Sequence, residues 1–160
     1  MRPVHSDERI ELLKGVWLFD RCTRRELAAL ARMATPIIVE PGRALTKEGT
    51  AGTEFVVVVE GVASATSDGD EIGKVGPGSF FGELALLDGG PRTASVRAET
   101  PMLALVWSKS EFDALVDRSI PSVARKMLVT LAERLRAERL RAERFRHACV
   151  GSNAERLDQT

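Results

Sequence analysis

FGELALLDGGPRTASV, residues Phe81 to Val96, runs from a small, apolar stretch around Glu83 through Asp88-Gly89-Gly90-Pro91 to Arg92. GELALL is long enough for one helical turn, and a helix begun at Gly82 points its free amides and positive dipole end at whatever lies before it. Such an end invites an anion. Asp88, Gly89 and Gly90 permit a tight turn with positive φ, and Pro91 holds Gly90 towards extended geometry and launches a strand that begins at Arg92. The turn is expected to bring Arg92 back to the helix start, where its fork can hold two phosphate oxygens. Glu83, acceptor-only when ionised, cannot hold the same phosphate and suits a sugar hydroxyl beside it. The residues alone leave two alternatives open. One is a nucleotide pocket; the other is a Glu83 to Arg92 salt bridge that ties the loop down.

Outward from this stretch the organisation changes three times along the chain. Upstream, ERIELLKGVWLFD carries apolar residues at Ile10, Leu13, Val16 and Leu18, a helical spacing, and CTRRELAALARMA places Thr23 and Glu26 in the capping-box relation. Pro36 stops the helical reading. From Ile37 to Trp107 follow short β-rich runs, PIIVE, EFVVVVEGVASA, EIGKVGPG, TASVRAE and MLALVW, punctuated by PGR, SDGD and GPGS turns. Asp68, Asp70 and Glu71 sit in such a hairpin tip and serve the turn. SKSE at Ser108 to Glu111 is a second capping-box signal, and beyond Pro121 a helical pattern continues to about Ala148. The expected fold class is α+β: an antiparallel β-roll, double-stranded β-helix or jelly-roll-like, flanked by N-terminal helices and a long C-terminal helix. The expected divisions are helices over 1–34, the roll over 35–107 with its decisive cassette at 81–94, helices over 108–148 and a flexible tail over 149–160.

At 160 residues, with 44% hydrophobic and 29% charged, the chain fits one globular domain. Lys plus Arg equals Asp plus Glu at 23 each, so no overall field draws it to nucleic acid or membrane. No window approaches the roughly 18 apolar residues of a membrane span, and the N-terminus lacks a signal-peptide core, which implies a cytoplasmic protein. Cys22 and Cys149 match no metal spacing and suit a reducing compartment. With His5 and His147 as the only histidines, a Ser/His/Asp or metal site has almost no material, so an enzyme and a metal cofactor are not expected. GxGxxG and GxxxxGK[ST] are both absent.

FGELAL, Arg92 nine positions after Glu83, and the RTA that follows resemble the phosphate-binding cassette of the cyclic-nucleotide-binding domain family. The order of helices, glycine-punctuated roll, cassette and closing helix is similar to that family from Leu18 to Arg146. The resemblance implies a ligand, cyclic AMP or cyclic GMP, and a site made of Gly82, Glu83, Leu84, Ala85, Arg92, Thr93 and Ala94. In it Glu83 and the Gly82 backbone hold the ribose 2′-hydroxyl, and Arg92 pairs with the cyclic phosphate, helped by the Ala85 amide and by Thr93. It allows both bases, since a hydroxyl after the arginine can accept the amine of a syn guanine; bacterial members with such a hydroxyl commonly read cyclic AMP, which is favoured here. The family's lid over the base would fall near Leu135, Glu138 and Arg139, although Glu138 and Arg139 depart from the small hydroxyl residues that some bacterial transcription regulators use.

Regulators resembling catabolite activator protein place a winged helix-turn-helix after the long helix, and this chain has no room for one beyond Ala148, so a DNA-binding domain is not expected. The expectation is a receptor that signals through a protein partner or its own dimer. The alternatives are the regulatory part of a larger protein and a ligand-free scaffold working through its charged helix. That helix carries Ala124, Leu128, Leu131, Leu135, Ala142 and Phe145 on an apolar stripe that drifts beyond Leu135, and the expected homodimer seam is Leu128, Leu131 and Leu135. From Glu133 to Arg146 six arginines face three glutamates, which reads as a solvated, ion-paired surface.

Overall fold

The runs EFVVVVE and MLALVWS form the centre of the fold because both of their faces are covered. In the computed structural model, which describes residues 2–83, 90–118 and 120–157 with side chains as far as 146, they are the strands β3 (Glu54–Glu60) and β8 (Met102–Ser108). They pair antiparallel, with Val56 opposite Val106 and Val58 opposite Ala104. Phe55, Val57, Leu103, Leu105 and Trp107 pack into one cluster with the helices, while Val58 and Met102 pack into a second cluster with the facing sheet. A sheet buried on both sides needs apolar residues at every position, and hence the unbroken runs. Each such side chain contributes about 1.5–3 kcal/mol on full burial.

The first sheet has the order β1-β8-β3-β6, with β1 at Thr35–Val39 and β6 at Phe80–Phe81. The second runs β2-β7-β4-β5, with β2 at Ala44–Thr46, β4 at Ala63–Ser67, β5 at Asp70–Val75 and β7 at Ser95–Ala98. It is covered on one face only, so β7 alternates: Val96 and Ala98 are buried and Arg97 is exposed. The hairpin between β4 and β5 turns through Asp68 (φ 52°) and Gly69 (φ 83°), the positive-φ pair of a type I′ turn, as the SDGD signal predicts.

Helices close the other side of the first sheet. α1 (Ser6–Lys14), a 3₁₀ turn (Trp17–Phe19) and α2 (Arg24–Met33) precede the strands, and α3 (Lys109–Arg118) and α4 (Ser122–Leu157) follow them. Both predicted capping boxes form. The Glu26 N–H donates to Thr23 Oγ1 (3.2 Å) while the Thr23 N–H donates to Glu26 Oε1 (2.9 Å), and Ser108 and Glu111 repeat the pattern at 3.1 and 3.2 Å. Trp107 Nε1–H donates to the Leu30 carbonyl at 2.8 Å, which pins α2 to β8.

Glu26 also holds the start of α4. The Ser122 hydroxyl donates to its Oε2 at 2.7 Å, and Lys126 forms an ion pair with it. Burial pushes the Glu26 carboxyl up, but the Lys126 ammonium and the Thr23 and Ser122 donors outweigh burial and leave its pKa at about 2. From there α4 turns Val123, Met127 and Thr130 into the domain, and from Ala132 to Arg146 its side chains are exposed.

Some features differ from the sequence reading. β7 begins at Ser95 and not at Arg92, because the backbone before it is engaged elsewhere. The Arg92 N–H donates to Thr50 O (2.8 Å), the Gly49 N–H donates to Arg92 O (2.9 Å), and Pro91 bridges Ala51. β2 and β6 were not foreseen, since runs of three and two residues carry no readable period. α4 continues to Leu157, past the expected end at Ala148, because Gly151 alone costs about 1 kcal/mol and no proline stops the helix.

Candidate functional site

Arg92 lies between β6 and β7, and its side chain crosses back towards the start of β3. There Nη2–H donates to the carbonyl oxygen of Glu54 at 2.8 Å. The other terminal nitrogen, Nη1, is buried and has no hydrogen-bond partner among the described residues. Burial pushes the guanidinium's pKa below its ordinary value, and the carboxylates of Glu54 and Glu83 offset part of that. Leaving a buried donor unpaired costs about 1–3 kcal/mol, and more for a charged group. Native structures keep such groups rarely, and each calls for an explanation such as strain, a catalytic role or a bound water or ion.

Two glycines make room for this arrangement. Gly82 has φ 82°, and a Cβ there would lie 2.3 Å from both Arg92 Nη1 and Glu54 O. No side chain fits, and the positive φ would strain any L residue. On the other flank, a Cβ on Gly52 would lie 3.0 Å from the Gly90 carbonyl and 3.1 Å from Arg92 Cδ and Nε. The guanidinium thus lies in a cradle of backbone.

A pocket of about 70 Å³ opens beside it, lined by Gly82, Glu83, Arg92, Thr93 and Ala94 together with Thr46, Phe81 and Val96. The fold therefore brings together five of the residues singled out in the sequence. Leu84 and Ala85 lie outside the described residues, as do Asp88 and Gly89. The salt-bridge alternative is not what forms, because Arg92 bonds to a carbonyl oxygen through one nitrogen and leaves the other unpaired among the described residues. The sequence reading placed Phe81 in the cassette at 81–94 but missed Gly52, Thr46 and Val96. Of these only Thr46 and Val96, which sit opposite one another in the β2 to β7 pairing, could have been reached, and only by pairing two strands of which one has no signal.

Leu135, Glu138 and Arg139 are not brought to this pocket. All three are exposed on α4. Glu138 faces Arg134 at 3.9 Å and borders a concavity with Trp17 and Asp20, while Arg139 faces Glu143 at 3.8 Å. This part of α4 is fastened to the N-terminal 3₁₀ turn: the Arg134 guanidinium lies 4.5 Å over the Trp17 ring, and Glu133 pairs with Arg21. Leu131 is half-buried against the helical core, whereas Leu128 and Leu135 are 55% and 58% exposed, so the stripe expected as one seam divides between core and surface. Cys22 is a free thiol whose pKa is pushed up to about 11 by burial and by Glu26. No helix among the described residues is long and apolar enough to cross a membrane, and no cluster of metal-ligating side chains occurs among them.

Comparison with known proteins bears on this geometry. The chain is 32% identical over 124 residues to a cyclic nucleotide-gated potassium channel of Rhizobium etli, an alignment that covers 78% of this chain and 34% of the channel. It is 31% identical over 136 residues to the acetyltransferase Pat of Mycolicibacterium smegmatis, covering 82% of this chain and 40% of the enzyme. The chain thus spans between a third and two-fifths of these relatives. Among solved structures, the N-terminal domain of a transcriptional regulator from Streptomyces coelicolor A3(2) superposes with a TM-score of 0.71 at 31% identity, covering 79% of this chain and 94% of that one. Residues 36–119 match the family model described as the cyclic nucleotide-binding domain, from β1 through the cassette to the end of α3. Domains of this kind are ligand-binding regulatory modules, and this chain belongs to the cyclic nucleotide-binding domain family.

Proposed function

We propose that this chain senses a 3′,5′-cyclic nucleotide, cyclic AMP in preference to cyclic GMP, at the pocket beside Arg92, and acts as a regulatory module and not as a catalyst. The observation that carries the reading is the buried, unpartnered Nη1 of Arg92. What that atom lacks is an acceptor, and the singly charged cyclic phosphate supplies one through its two exocyclic oxygens, which a guanidinium can hold in a bidentate contact. Arg92 takes the cyclic phosphate, aided by the Ala85 amide and by Thr93; Glu83 and the Gly82 backbone take the ribose 2′-hydroxyl; Leu84 and Ala94 complete the cassette. Arg92, the Ala85 amide and Thr93 are donors where the phosphate needs donors, and Glu83 is an acceptor where the sugar hydroxyl needs one.

Leu135, Glu138 and Arg139 serve as the lid in a second arrangement, in which α4 leaves Trp17 and Arg21 and closes over the base. A nucleotide that binds this arrangement more tightly shifts the population towards it. The exposed Leu128 and Leu135, seven residues apart on one face of α4, support a homodimer formed through that helix.

A thermal-shift series with cyclic AMP, cyclic GMP and 5′-AMP tests the reading. Ligand at about 100 times its dissociation constant adds about 2.7 kcal/mol, which at about 2–4 °C per kcal/mol raises Tm by roughly 5–10 °C. Cyclic AMP is expected to give that shift at lower concentration than cyclic GMP, and 5′-AMP to give none. Absence of any shift with either cyclic nucleotide at millimolar concentration rejects the proposal and leaves a scaffold working without ligand.

A further inference from the structure

The outer face of β2, β7 and β4 carries two cations, Lys47 and Arg97, that have no carboxylate partner among the described residues. Because β4 and β7 alternate, Ala63, Val96 and Ala98 point into the core, and Ser64, Thr66, Ser95 and Arg97 line the opposite side. Ser64 is paired with Arg97 and Thr66 with Ser95 across the two strands. With Lys47 at the end of β2, they border a concavity of about 390 Å³. Arg97 donates through Nη1 to the Gly42 carbonyl, and neither it nor Lys47 has a carboxylate partner among the described residues.

Three nearby acids, Glu71, Glu99 and Glu48, are engaged elsewhere, whereas Asp68 and Asp70 sit beyond Ser67 at the hairpin tip. Glu71 and Glu99 both pair with Lys74 on β5. Glu48, next to Lys47 in sequence, turns its carboxylate to the Asp68 N–H (3.1 Å) and the Ser67 hydroxyl (3.2 Å) at the hairpin tip. What remains on this face is donor-rich: an ammonium, a guanidinium and the Ser64 and Thr66 hydroxyls, with Ser95 accepting from the Glu48 N–H at 2.9 Å. A row of donors across two strands, with hydroxyls at every second residue, is complementary to carboxylates on an extended chain, whose side chains alternate at the same spacing.

We infer that the outer face of β2, β7 and β4 docks an acidic, extended segment of a protein partner through Lys47, Arg97, Ser64 and Thr66. Charge complementarity sets the partner's class, and electrostatic attraction of this kind acts mainly on recognition and association rate. The face does not depend on the pocket beside Arg92, although β2 and β7 wall both.

The probe is a fluorescein-labelled Glu-Asp octapeptide, titrated against the full chain by anisotropy at low salt, with a Ser-Gly octapeptide as control and cyclic AMP titrated separately. Saturable binding to the acidic peptide alone is expected, weakened at least tenfold by the K47E/R97E pair, with amide shifts in β4 and β7. Both side chains are exposed, so the pair is expected to fold, and unchanged cyclic AMP affinity verifies it. If cyclic AMP does not bind but the peptide does, the nucleotide reading fails and this one stands. Equal affinity in K47E/R97E, shifts confined to the arginines of α4, stronger capture of a single-stranded oligonucleotide than of the peptide, or no saturation at millimolar peptide each overturns it.

Discussion

Replacing Arg92 by Met separates a binding residue from a structural one. Among the described residues the guanidinium contributes one hydrogen bond, Nη2–H to Glu54 O at 2.8 Å, and carries a buried nitrogen with no partner. Removing it leaves the Glu54 carbonyl short of a donor, at a cost of about 1–3 kcal/mol, and relieves an unpaired charged donor of about the same size. A linear apolar side chain fills the vacated channel without branching into Gly82. Replacing buried charge by a well-packed apolar group is often neutral or stabilising. The two effects offset, and the unliganded fold is expected to change by no more than about 1 kcal/mol, or roughly 2–4 °C in Tm. Binding has no such compensation. Loss of the phosphate's charged partner costs about 2–5 kcal/mol, a weakening of about thirtyfold to several thousandfold. Calorimetric unfolding without ligand and isothermal titration with cyclic AMP read the two quantities on the same protein. A variant that loses more than about 3 kcal/mol of unliganded stability would show that Arg92 is held for the fold, and one that keeps parental affinity would remove the phosphate from its side.

Gly82→Ala drives a Cβ to 2.3 Å from Arg92 Nη1 and Glu54 O at a positive φ, so unliganded stability should fall by about 2–3 kcal/mol and cyclic AMP binding by at least about tenfold; a parental melting curve contradicts the cradle geometry. Glu26 has a pKa of about 2, below the ordinary carboxylate value, so its contribution to stability is present above that ordinary value and is lost as pH falls through the interval down to about 2. Glu26→Gln should therefore destabilise the protein by about 1–3 kcal/mol at pH 7 and flatten the loss of stability between about pH 5 and pH 3; acid unfolding curves that stay parallel across that range count against the assignment. Leu128→Glu together with Leu135→Glu leaves the core untouched and should turn the dimer into a monomer by light scattering, whereas a parent that is monomeric at high micromolar concentration removes the dimer from the proposal.

The sequence determined whatever depends on near neighbours. Thr23 with Glu26 and Ser108 with Glu111 form their caps because the partners are three residues apart, and a helix start brings them together whatever surrounds it. EFVVVVE and MLALVWS announce a twice-covered sheet because solvent is excluded from both faces, and FGELAL followed by RTA marks the cassette because backbone clearance and charge restrict which residues serve there. The tertiary structure decided what passes between distant segments. Arg92 finds its acceptor in Glu54, 38 residues away, and the clearance at Gly82 and Gly52 exists only once β3, β6 and the cassette are assembled. Leu128, Leu131 and Leu135 of α4 read as one seam, yet Leu131 packs against the core while Leu128 and Leu135 lie on the surface, because packing against Glu26, Trp17 and Arg21 sets the line of the helix. Periodicity specifies that a face is apolar; which body covers it is set by packing between elements that no local pattern encodes.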